Sequence, residues 1–301
     1  MIAIVQGGSN SEAAVSRSSS KAVQEAMQKL GYEFKVFEAD ENLYNNLRSE
    51  KFRCCFIALH GQKGEDGVIQ GLCEYIGLPY TGSGLLASAL AFNKQKSKEI
   101  FRQCDIPVME SFVVTRAGQT TAPKPSRYPV IIKPNRDGSS VGVMKCSTHE
   151  EYSKNLQEAL KQNSDVIVED FIQGEDFTVG VFDGKALEPI LIRPKEGFYD
   201  YTNKYTAGKT DYLIPAPVPE ELKQKCKAWS ETIFKKMDLK VYARVDFMCT
   251  AEGEAYALEV NTLPGLTPTS LLPKAAKYEG YEFSDIIKLL VERATLDYEN
   301  P

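Results

Sequence analysis

The sequence predicts an α/β protein in which a small parallel sheet precedes a larger α+β region with antiparallel strands. Three observations support this prediction. Short apolar runs alternate with segments of helical periodicity over the first ~80 residues. After Gly84 the strands follow one another more closely, and two connections contain turn-forming residues such as Asp183-Gly184. The length of 301 residues, 43% of them hydrophobic, is sufficient for two or three domains with apolar cores.

Composition and charge exclude several classes of protein. There are 36 Lys and Arg residues against 41 Asp and Glu, a net charge of −5, and no basic block interleaved with aromatic residues, so we expect no nucleic-acid partner. No apolar run approaches the ~18 residues of a membrane-spanning helix, and the opening run has no basic leader. Seven scattered cysteines without a CxxC pair are typical of reduced thiols. We therefore expect a cytoplasmic protein without a membrane partner.

The N-terminal part is predicted to form the parallel sheet. Ile2–Val5 is a buried strand, a polar loop follows it, and apolar residues then recur at helical spacing as far as Gly31. Phe34–Phe37 and Cys54–Leu59 supply two further strands. Ligands bind at the carboxyl ends of parallel strands, and so the loops after the first and third strands are candidate binding loops.

Glu12 and His60 are the chemically distinctive residues of these two loops. Taken singly, Glu12 is typical of an acidic residue at the start of a helix, and His60 of a hydrogen-bonded structural histidine. Because both follow strand ends, however, the two loops can meet over one crevice. This arrangement favours a substrate site that contains both side chains.

The rest of the chain is predicted to contain strands with helices between them. The central elements are a long helix from Gly84 through Phe101, strands at Phe112–Val114, Val130–Lys133 and Val143–Lys145, a helix opened by a capping box at Ser147–Glu150, and a strand at Val166–Glu169. The later elements are a hairpin around Asp183-Gly184, a polar Tyr-rich loop over Phe198–Tyr212, a helix opened at Pro219, a second hairpin over Ala243–Val260, and two closing helices. We expect the Tyr-rich loop to be mobile without ligands and to close over the site.

The second hairpin carries the most informative polar residues. A turn centred on Glu252-Gly253 places Asp246 opposite Glu259 and Arg244 opposite Asn261. These four side chains then share one face of the hairpin. The other face is predicted to be apolar and to consist of Ala243, Val245, Phe247, Leu258 and Val260.

Two opposed carboxylates repel each other unless a cation lies between them. Oxygen ligands favour Mg²⁺, and with only two histidines in the chain a Cys/His zinc site lacks ligands. The alternative is a solvated hairpin face with one Arg–carboxylate pair. The neutral polar and glycine residues of Asn261–Gly265 favour the metal site.

The segment from Lys133 to Gly142 is a Gly- and Ser-rich loop between two strands. Its backbone N–H groups and hydroxyls can close over phosphates, and Lys133 adds a positive charge. An ordinary hairpin turn is the alternative.

Three other motifs are rejected. Gly208–Thr210 lacks the leading glycine of a P-loop, Gly82–Ala87 lacks the clear preceding strand of a dinucleotide-binding fold, and no GxSxG elbow occurs.

Seven segments, in order and over essentially the whole chain, resemble the signatures of the D-alanine:D-alanine ligase family. They are GGSNSEAAVS, HGQKGEDGVIQG, YTGSG, KPNRDGSSVG, the pair Lys204-Tyr205, ARVDF and LEVNTLPGLTPTS. The resemblance implies the ATP-grasp fold, with parts at residues 1–82, 83–176 and 177–301 and with ATP between the second and third. It also implies ATP-dependent ligation of two D-alanines for peptidoglycan synthesis, through a D-alanyl phosphate intermediate. Two Mg²⁺ ions, which Mn²⁺ can replace, and a homodimer are implied as well.

The resemblance also implies roles for individual residues. The ATP phosphates would be bound by Lys94 and Lys133, and Lys204 would also contact ATP. The nucleoside would be bound by Glu169, Phe171, Ile172 and Asp176, and the metal by Asp246, Glu259 and Asn261. The chain departs from the family pattern at several positions: Asp170 stands where many members have lysine, Asp176 where a glutamate is usual, and Ala13-Ala14 where a charged pair is common.

At the amino-acid end, the resemblance places Glu12 on the ammonium group of the first D-alanine and His60 near its carboxylate. The remaining implied residues are Ser139 and Tyr205 in a hydrogen-bonded trio with Glu12, Arg244 and the Gly265 backbone at the developing oxyanion, and Ser270 and Leu271 at the carboxylate of the second D-alanine.

Three other functions stay open from the sequence. One is a ligase that uses D-lactate or D-serine as acceptor, although Tyr205 resembles the dipeptide-forming members. Another is an ATP-binding regulator without turnover, although every charged position that the chemistry needs is present. The third is a nicotinamide-dependent oxidoreductase, which nicotinamide binding would identify.

Overall fold

The computed structural model describes residues 1–10, 12–118, 122–138, 141–196, 203, 206 and 208–298. Ser139, Lys204, Tyr205 and most of the Tyr-rich loop lie outside the described residues. Within these ranges the chain forms thirteen strands and nine helices, with the strands in three sheets. None of the described helices is both long and apolar enough to cross a membrane.

A three-stranded parallel sheet begins the chain, as predicted. Its strands lie in the order β2-β1-β3, and both pairs are parallel. Since β1 and β3 end at the same sheet edge, the loops that carry Glu12 and His60 emerge side by side. The elements of this part are β1 (Ile2–Gln6), α1 (Ala13–Lys29), β2 (Phe34–Glu38), α2 (Leu43–Arg48), β3 (Cys55–Ile57) and α3 (Val68–Ile76).

The prediction of one long helix after Gly84 is wrong. Two helices, α4 (Leu85–Phe92) and α5 (Lys94–Gln103), are separated by Asn93, whose backbone is extended. The Asn93 side chain accepts a hydrogen bond from the Lys96 backbone N–H at 3.1 Å and so caps α5. Asparagine is among the preferred N-cap residues, which explains the break.

A four-stranded antiparallel sheet follows, with the order β4-β7-β5-β6. Its strands confirm the predicted antiparallel layer, and α6 packs on one face through Tyr152 and Leu156. The elements are β4 (Ser111–Thr115), β5 (Val130–Pro134), β6 (Met144–Cys146), α6 (His149–Gln162) and β7 (Asp165–Asp170).

The cap of α6 lies one residue later than predicted. Thr148, not Ser147, is the N-cap, and its hydroxyl accepts from the Glu151 N–H at 3.2 Å. The Glu151 carboxylate in turn accepts from the Ser147 N–H at 2.6 Å. Ser147/Glu150 and Thr148/Glu151 both fit the capping-box spacing, so the sequence alone does not distinguish them.

The third sheet has six strands, in the order β11-β10-β8-β12-β13 with β9 paired to β8. Both predicted hairpins are present. Asp183 and Gly184 have φ angles of 48° and 79°, the left-handed pair that a two-residue hairpin turn requires. The elements are β8 (Glu175–Phe182), β9 (Lys185–Ala186), β10 (Ile190–Pro194), β11 (Thr210–Leu213), α7 (Glu220–Lys236), β12 (Tyr242–Cys249), β13 (Ala255–Asn261), α8 (Leu271–Tyr278) and α9 (Phe283–Glu292).

Apolar packing joins the two ends of the chain. Ile286 and Leu290 of α9 and Leu272 of α8 belong to the same buried cluster as Ile4 and Phe56 of the parallel sheet. A second cluster connects α4, α5 and α7 to the third sheet. The parallel sheet is therefore packed beside the start of α8.

Candidate active site

Two adjoining cavities lie at the carboxyl ends of β1 and β3 and between the two antiparallel sheets. Their volumes are about 540 Å³ and about 850 Å³. Lys94, Arg244 and Glu259 line both cavities, so the cavities meet at these residues. Every predicted site residue that the structure describes lines at least one of the two.

The β12–β13 hairpin brings the predicted acidic residues together. Asp246 pairs with Glu259 and Arg244 pairs with Asn261, as predicted. A β-bulge follows Asp246, however, and Phe247 pairs with Ala257 instead of Leu258. The extra residue, Leu258, consequently lies beside Glu259 in the first cavity, and the prediction that it belongs to the apolar face is wrong.

Cations of the chain itself compensate these carboxylates. Asp246 accepts two hydrogen bonds from Arg244, at 2.9 and 2.8 Å, and a third from the Thr178 hydroxyl at 2.6 Å. Glu259 lies 3.3 Å from the Lys94 ammonium. Lys94 is the first residue of α5, so the helix break at Asn93 is what directs its side chain into the junction of the cavities.

The donor set at this hairpin fits Mg²⁺ or Mn²⁺. Two carboxylates and the Asn261 amide oxygen are hard oxygen ligands, and Mg²⁺ is commonly held by one or two carboxylates plus substrate phosphates. Across the described ranges, no group of three or more His, Cys, Asp or Glu side chains forms an all-protein metal site. A metal held by these residues would leave coordination positions for substrate phosphates.

A buried charge cluster marks the far end of the first cavity. Glu169 of β7 lies 2.9 Å from Lys133 and 2.7 Å from Lys98. Burial raises the pKa of Glu169, but the positive charges of Lys133 and Lys98 outweigh this effect and lower the pKa to about 2. Burial lowers the pKa of Lys98 to about 8, and the attraction of Glu169 offsets part of that shift.

Lys98 lines neither cavity, but it pairs with Glu169 at the wall of the first, and the sequence did not predict this contact. The Lys98 side chain is completely buried. Its ammonium forms an ion pair with one oxygen of Glu169, but the angles of this contact do not meet those of a hydrogen bond. One signal was available, because Lys98 follows Lys94 by four residues and therefore lies on the same face of α5.

The segment after β7 lines the rest of the first cavity, with Phe171, Ile172 and Asp176 at its wall. The Lys145 ammonium lies 3.7 Å from the centre of the Phe171 ring. Asp170, which departs from the family pattern, accepts a hydrogen bond from Arg127 at 3.1 Å. A flat apolar surface beside positive groups is suited to a nucleotide base.

Glu12 and His60 line the second cavity together, each 7% exposed. The Asn10 amide ties their loops by donating to the His60 carbonyl at 2.8 Å. His60 Nε2 lies 3.0 Å from the Ser19 hydroxyl, and its Nδ1 lies 3.5 Å from a Glu65 carboxylate oxygen. The imidazole is thus fixed on both sides.

Gly265, Ser270 and Leu271 close the opposite wall of the second cavity. A Cβ atom at position 265 would lie 2.9 Å from the Ser270 hydroxyl oxygen, so only glycine fits without a shift. That hydroxyl accepts from the Thr267 N–H at 3.2 Å. Ser270 is the N-cap of α8.

The predicted trio of Glu12, Ser139 and Tyr205 cannot be placed, because Ser139 and Tyr205 lie outside the described residues. Lys204 lies outside them as well. Their described neighbours Gly138, Thr206 and Gly208 line the second cavity. The roles of the three residues stay predictions.

Comparison with known proteins identifies the family. The model of the D-ala D-ala ligase N-terminus matches residues 35–83, and that of the D-ala D-ala ligase C-terminus matches residues 100–292. The chain belongs to the D-alanine–D-alanine ligase family. The D-alanine–D-alanine ligase of Syntrophotalea carbinolica is 42% identical over 295 residues, which cover 98% of this chain and 96% of that protein.

Solved structures of D-alanine–D-alanine ligases have the same fold. The Bacillus anthracis enzyme superimposes with a TM-score of 0.85 at 34% identity, and its complex with ATP with 0.84 at 31%, in both cases over 97% of this chain and 96% of the other. VanG D-Ala:D-Ser ligase from Enterococcus faecalis gives 0.83 at 29% identity, over 97% and 98% of the two chains. The predicted ATP-grasp fold is confirmed.

Proposed function

We propose that this protein is an ATP-dependent ligase that joins two D-alanines to D-alanyl-D-alanine and releases ADP and phosphate. The observation that carries the proposal is the junction of the two cavities at Lys94, Arg244 and Glu259. ATP in the first cavity would present its terminal phosphate at this junction, beside an amino acid in the second. Membership of the D-alanine–D-alanine ligase family supports the same activity.

The reaction requires activation of a carboxylate, which is a poor electrophile. A carboxylate oxygen of the first D-alanine attacks the terminal phosphorus of ATP, and ADP leaves with the electron pair of the broken P–O bond. The amine of the second D-alanine loses a proton and attacks the carbonyl carbon of the D-alanyl phosphate. The carbon–oxygen bond then breaks and inorganic phosphate leaves. Positioning and electrostatic stabilisation supply most of the catalysis.

At the amino-acid end, Glu12 would bind the ammonium group of the first D-alanine, with His60 near its carboxylate. Arg244 lies at the junction of the cavities, and its guanidinium would stabilise the tetrahedral oxyanion together with the Gly265 N–H. Ser270 and Leu271 would hold the carboxylate of the second D-alanine. The burial of Glu12 strengthens these electrostatic interactions.

At the nucleotide end, Lys94 and Lys133 would bind the phosphates, and Lys204 would also contact ATP. The nucleoside would lie against Phe171, Ile172 and Asp176, with Glu169 at the base of the cavity. Lys133 pairs with Glu169 at present, so phosphate binding would require it to exchange one anionic partner for another. Lys98 would then remain as the counter-ion of Glu169.

Asp246, Glu259 and Asn261 would hold two Mg²⁺ ions, for which Mn²⁺ can substitute. When bound, these cations would neutralise the negative charge of the phosphates during transfer. Lys94 and Arg244, which now pair with the two carboxylates, would become available to the phosphate and the oxyanion.

D-Serine is a second candidate acceptor, because the VanG D-Ala:D-Ser ligase has a closely similar fold. The higher identity to a D-alanine–D-alanine ligase favours D-alanine. A cytoplasmic location, a homodimer and a role in peptidoglycan synthesis complete the proposal, and family membership supports them.

The experiment that tests this function is release of phosphate from ATP with D-alanine, L-alanine, D-lactate or D-serine, with the product identified by mass spectrometry. D-Alanine should give one D-alanyl-D-alanine per phosphate, and the release should stop in excess chelator. Equal turnover with L-alanine would contradict the proposal. So would a main product that is a depsipeptide, from D-alanine mixed with D-lactate, or D-Ala-D-Ser, from D-alanine mixed with D-serine.

A further inference from the structure

Lys274 is a charged residue of the second cavity that neither the sequence reasoning nor the proposed chemistry uses. It lies on α8, four residues after Ser270, so the two side chains lie on one face of the helix. Lys274, Ser270 and Leu271 all line the second cavity. The Lys274 backbone N–H donates to the Ser270 carbonyl at 3.0 Å, and this hydrogen bond fixes the first turn of α8.

The Lys274 ammonium has an aromatic partner but no anionic one. It lies 4.0 Å from the centre of the Tyr212 ring, a cation–π contact. Among the described residues, no carboxylate lies within ion-pair distance of it. The lysine is half-buried, and burial lowers the pKa of its ammonium group. A half-buried cation without a counter-ion attracts an anion that enters the cavity.

Most of the other charged groups of this cavity are paired within the protein. Glu259 pairs with Lys94, and Glu65 lies beside His60. Arg244 bonds to Asp246 at the junction with the first cavity. Lys274 lies at the opposite wall, next to the residues that would receive the second D-alanine.

We propose that Lys274 is a specificity-determining residue that pairs with the carboxylate of the second D-alanine when that carboxylate is held at Ser270 and Leu271. The inference rests on the proposed function and deepens it. The acceptor loses water from its carboxylate on entering the cavity, and a lysine at this position compensates for that loss. An acceptor with a neutral carboxamide gains nothing from Lys274, so the residue selects free amino acids over amidated ones.

The test compares D-alanine with D-alaninamide as acceptor in the full-length protein. Lys274→Met keeps the apolar stem and removes the charge, and Lys277→Met, at an exposed position of the same helix, is the matched control. For Lys274→Met we expect the KM of the second D-alanine to rise about tenfold or more, with the KM of ATP changed less than about twofold. The preference for D-alanine over D-alaninamide should fall by a similar factor.

Two further variants separate charge from structure. Lys274→Arg keeps the charge and should retain the preference for the carboxylate, whereas Lys274→Gln, which also keeps a polar side chain, should lose it. An unchanged preference in both Lys274→Met and Lys274→Gln overturns the inference.

If the unaltered protein forms no D-alanyl-D-alanine, the proposed function itself is wrong and the inference falls with it. If it does form the dipeptide and only the variants fail to respond, the inference alone is wrong.

Discussion

Lys98 and Glu169 form an ion pair, 2.7 Å between ammonium and carboxylate, at a point where both side chains are almost completely buried. The second oxygen of Glu169 contacts Lys133, 2.9 Å away at the cavity wall. Lys98 therefore keeps Glu169 charged while Lys133 is free to exchange partners. Removing one member of a buried pair leaves an uncompensated charge, so we expect Lys98 to be important for folding.

Lys98→Met should lower the free energy of unfolding by about 3 kcal/mol, because Glu169 loses its permanent counter-ion. Lys96→Met is the matched control, since Lys96 lies on the same helix but pairs with Glu99 in solvent. The control should cost less than about 1 kcal/mol. Urea unfolding measures both variants, and equal small losses would show that the buried pair has no special role.

Acid should destabilise the protein through Glu169. Its folded pKa of about 2 lies below the unfolded value of 4.5, so the unfolded state binds more protons between these values. The stability that Glu169 contributes is present above pH 4.5 and is lost as the pH falls toward 2. The urea concentration at the unfolding midpoint should fall as the pH is lowered from 5 to 3, and it should fall less steeply in Glu169→Gln than in the unaltered protein. Glu158→Gln, which changes an exposed glutamate on α6, is the control and should behave like the unaltered protein. Parallel slopes in all three proteins would refute this assignment.

Glu259→Gln should abolish most of the metal-dependent turnover, by about 100-fold or more. The side-chain shape is retained, and the Lys94 ammonium keeps its hydrogen bond to the Asp137 carbonyl when it loses Glu259 as its ion-pair partner. The free energy of unfolding should therefore fall by no more than about 1 kcal/mol. Glu252→Gln, in the turn of the same hairpin, is the control and should keep full activity. The measurement is phosphate release against Mg²⁺ concentration. A variant that unfolds readily but keeps its specific activity would show that Glu259 is structural.

Gly61→Ala should weaken binding of the first D-alanine by displacing Glu12. A Cβ atom at Gly61 would lie 2.4 Å from a Glu12 carboxylate oxygen, and φ at Gly61 is +68°. Gly31→Ala has the same kind of backbone strain, with φ at +73°, but no atom within 4 Å of the new Cβ. Both variants should lose about 1 kcal/mol of stability, and only Gly61→Ala should raise the KM of the first D-alanine, by about tenfold. Equal KM values in the two variants would remove Glu12 from the substrate site.

Local patterns predicted much of the fold and of the site. The pairing of Asp246 with Glu259 was predicted from a two-residue turn at Glu252-Gly253, but the turn has three residues between Thr250 and Glu254, and the bulge restores the predicted register. The shared crevice of Glu12 and His60 follows from the geometry of parallel strands. The bulge at Leu258 could not be predicted, because polar and apolar residues alternate along β13 whether or not one of them lies outside the strand pairing.

Tertiary packing decides the features that the sequence did not predict. The break at Asn93 depends on a cap that competes with continuation of an apolar helix. Lys98 and Lys274 look like surface lysines in the sequence, and only the fold shows that one is buried against Glu169 and the other lies over Tyr212. Surface and buried lysines have the same local sequence pattern, and so the distinction needs the structure.

Transfer of an oxygen atom tests the central claim, that the first D-alanine is activated as an acyl phosphate at the junction of the two cavities. D-Alanine labelled with ¹⁸O in both carboxylate oxygens is incubated with the protein, ATP and Mg²⁺, and the released phosphate is examined by mass spectrometry. Each phosphate should carry one ¹⁸O atom from the carboxylate, and each dipeptide should retain the other at its new amide carbonyl. Phosphate released without label alongside dipeptide formation would contradict the account.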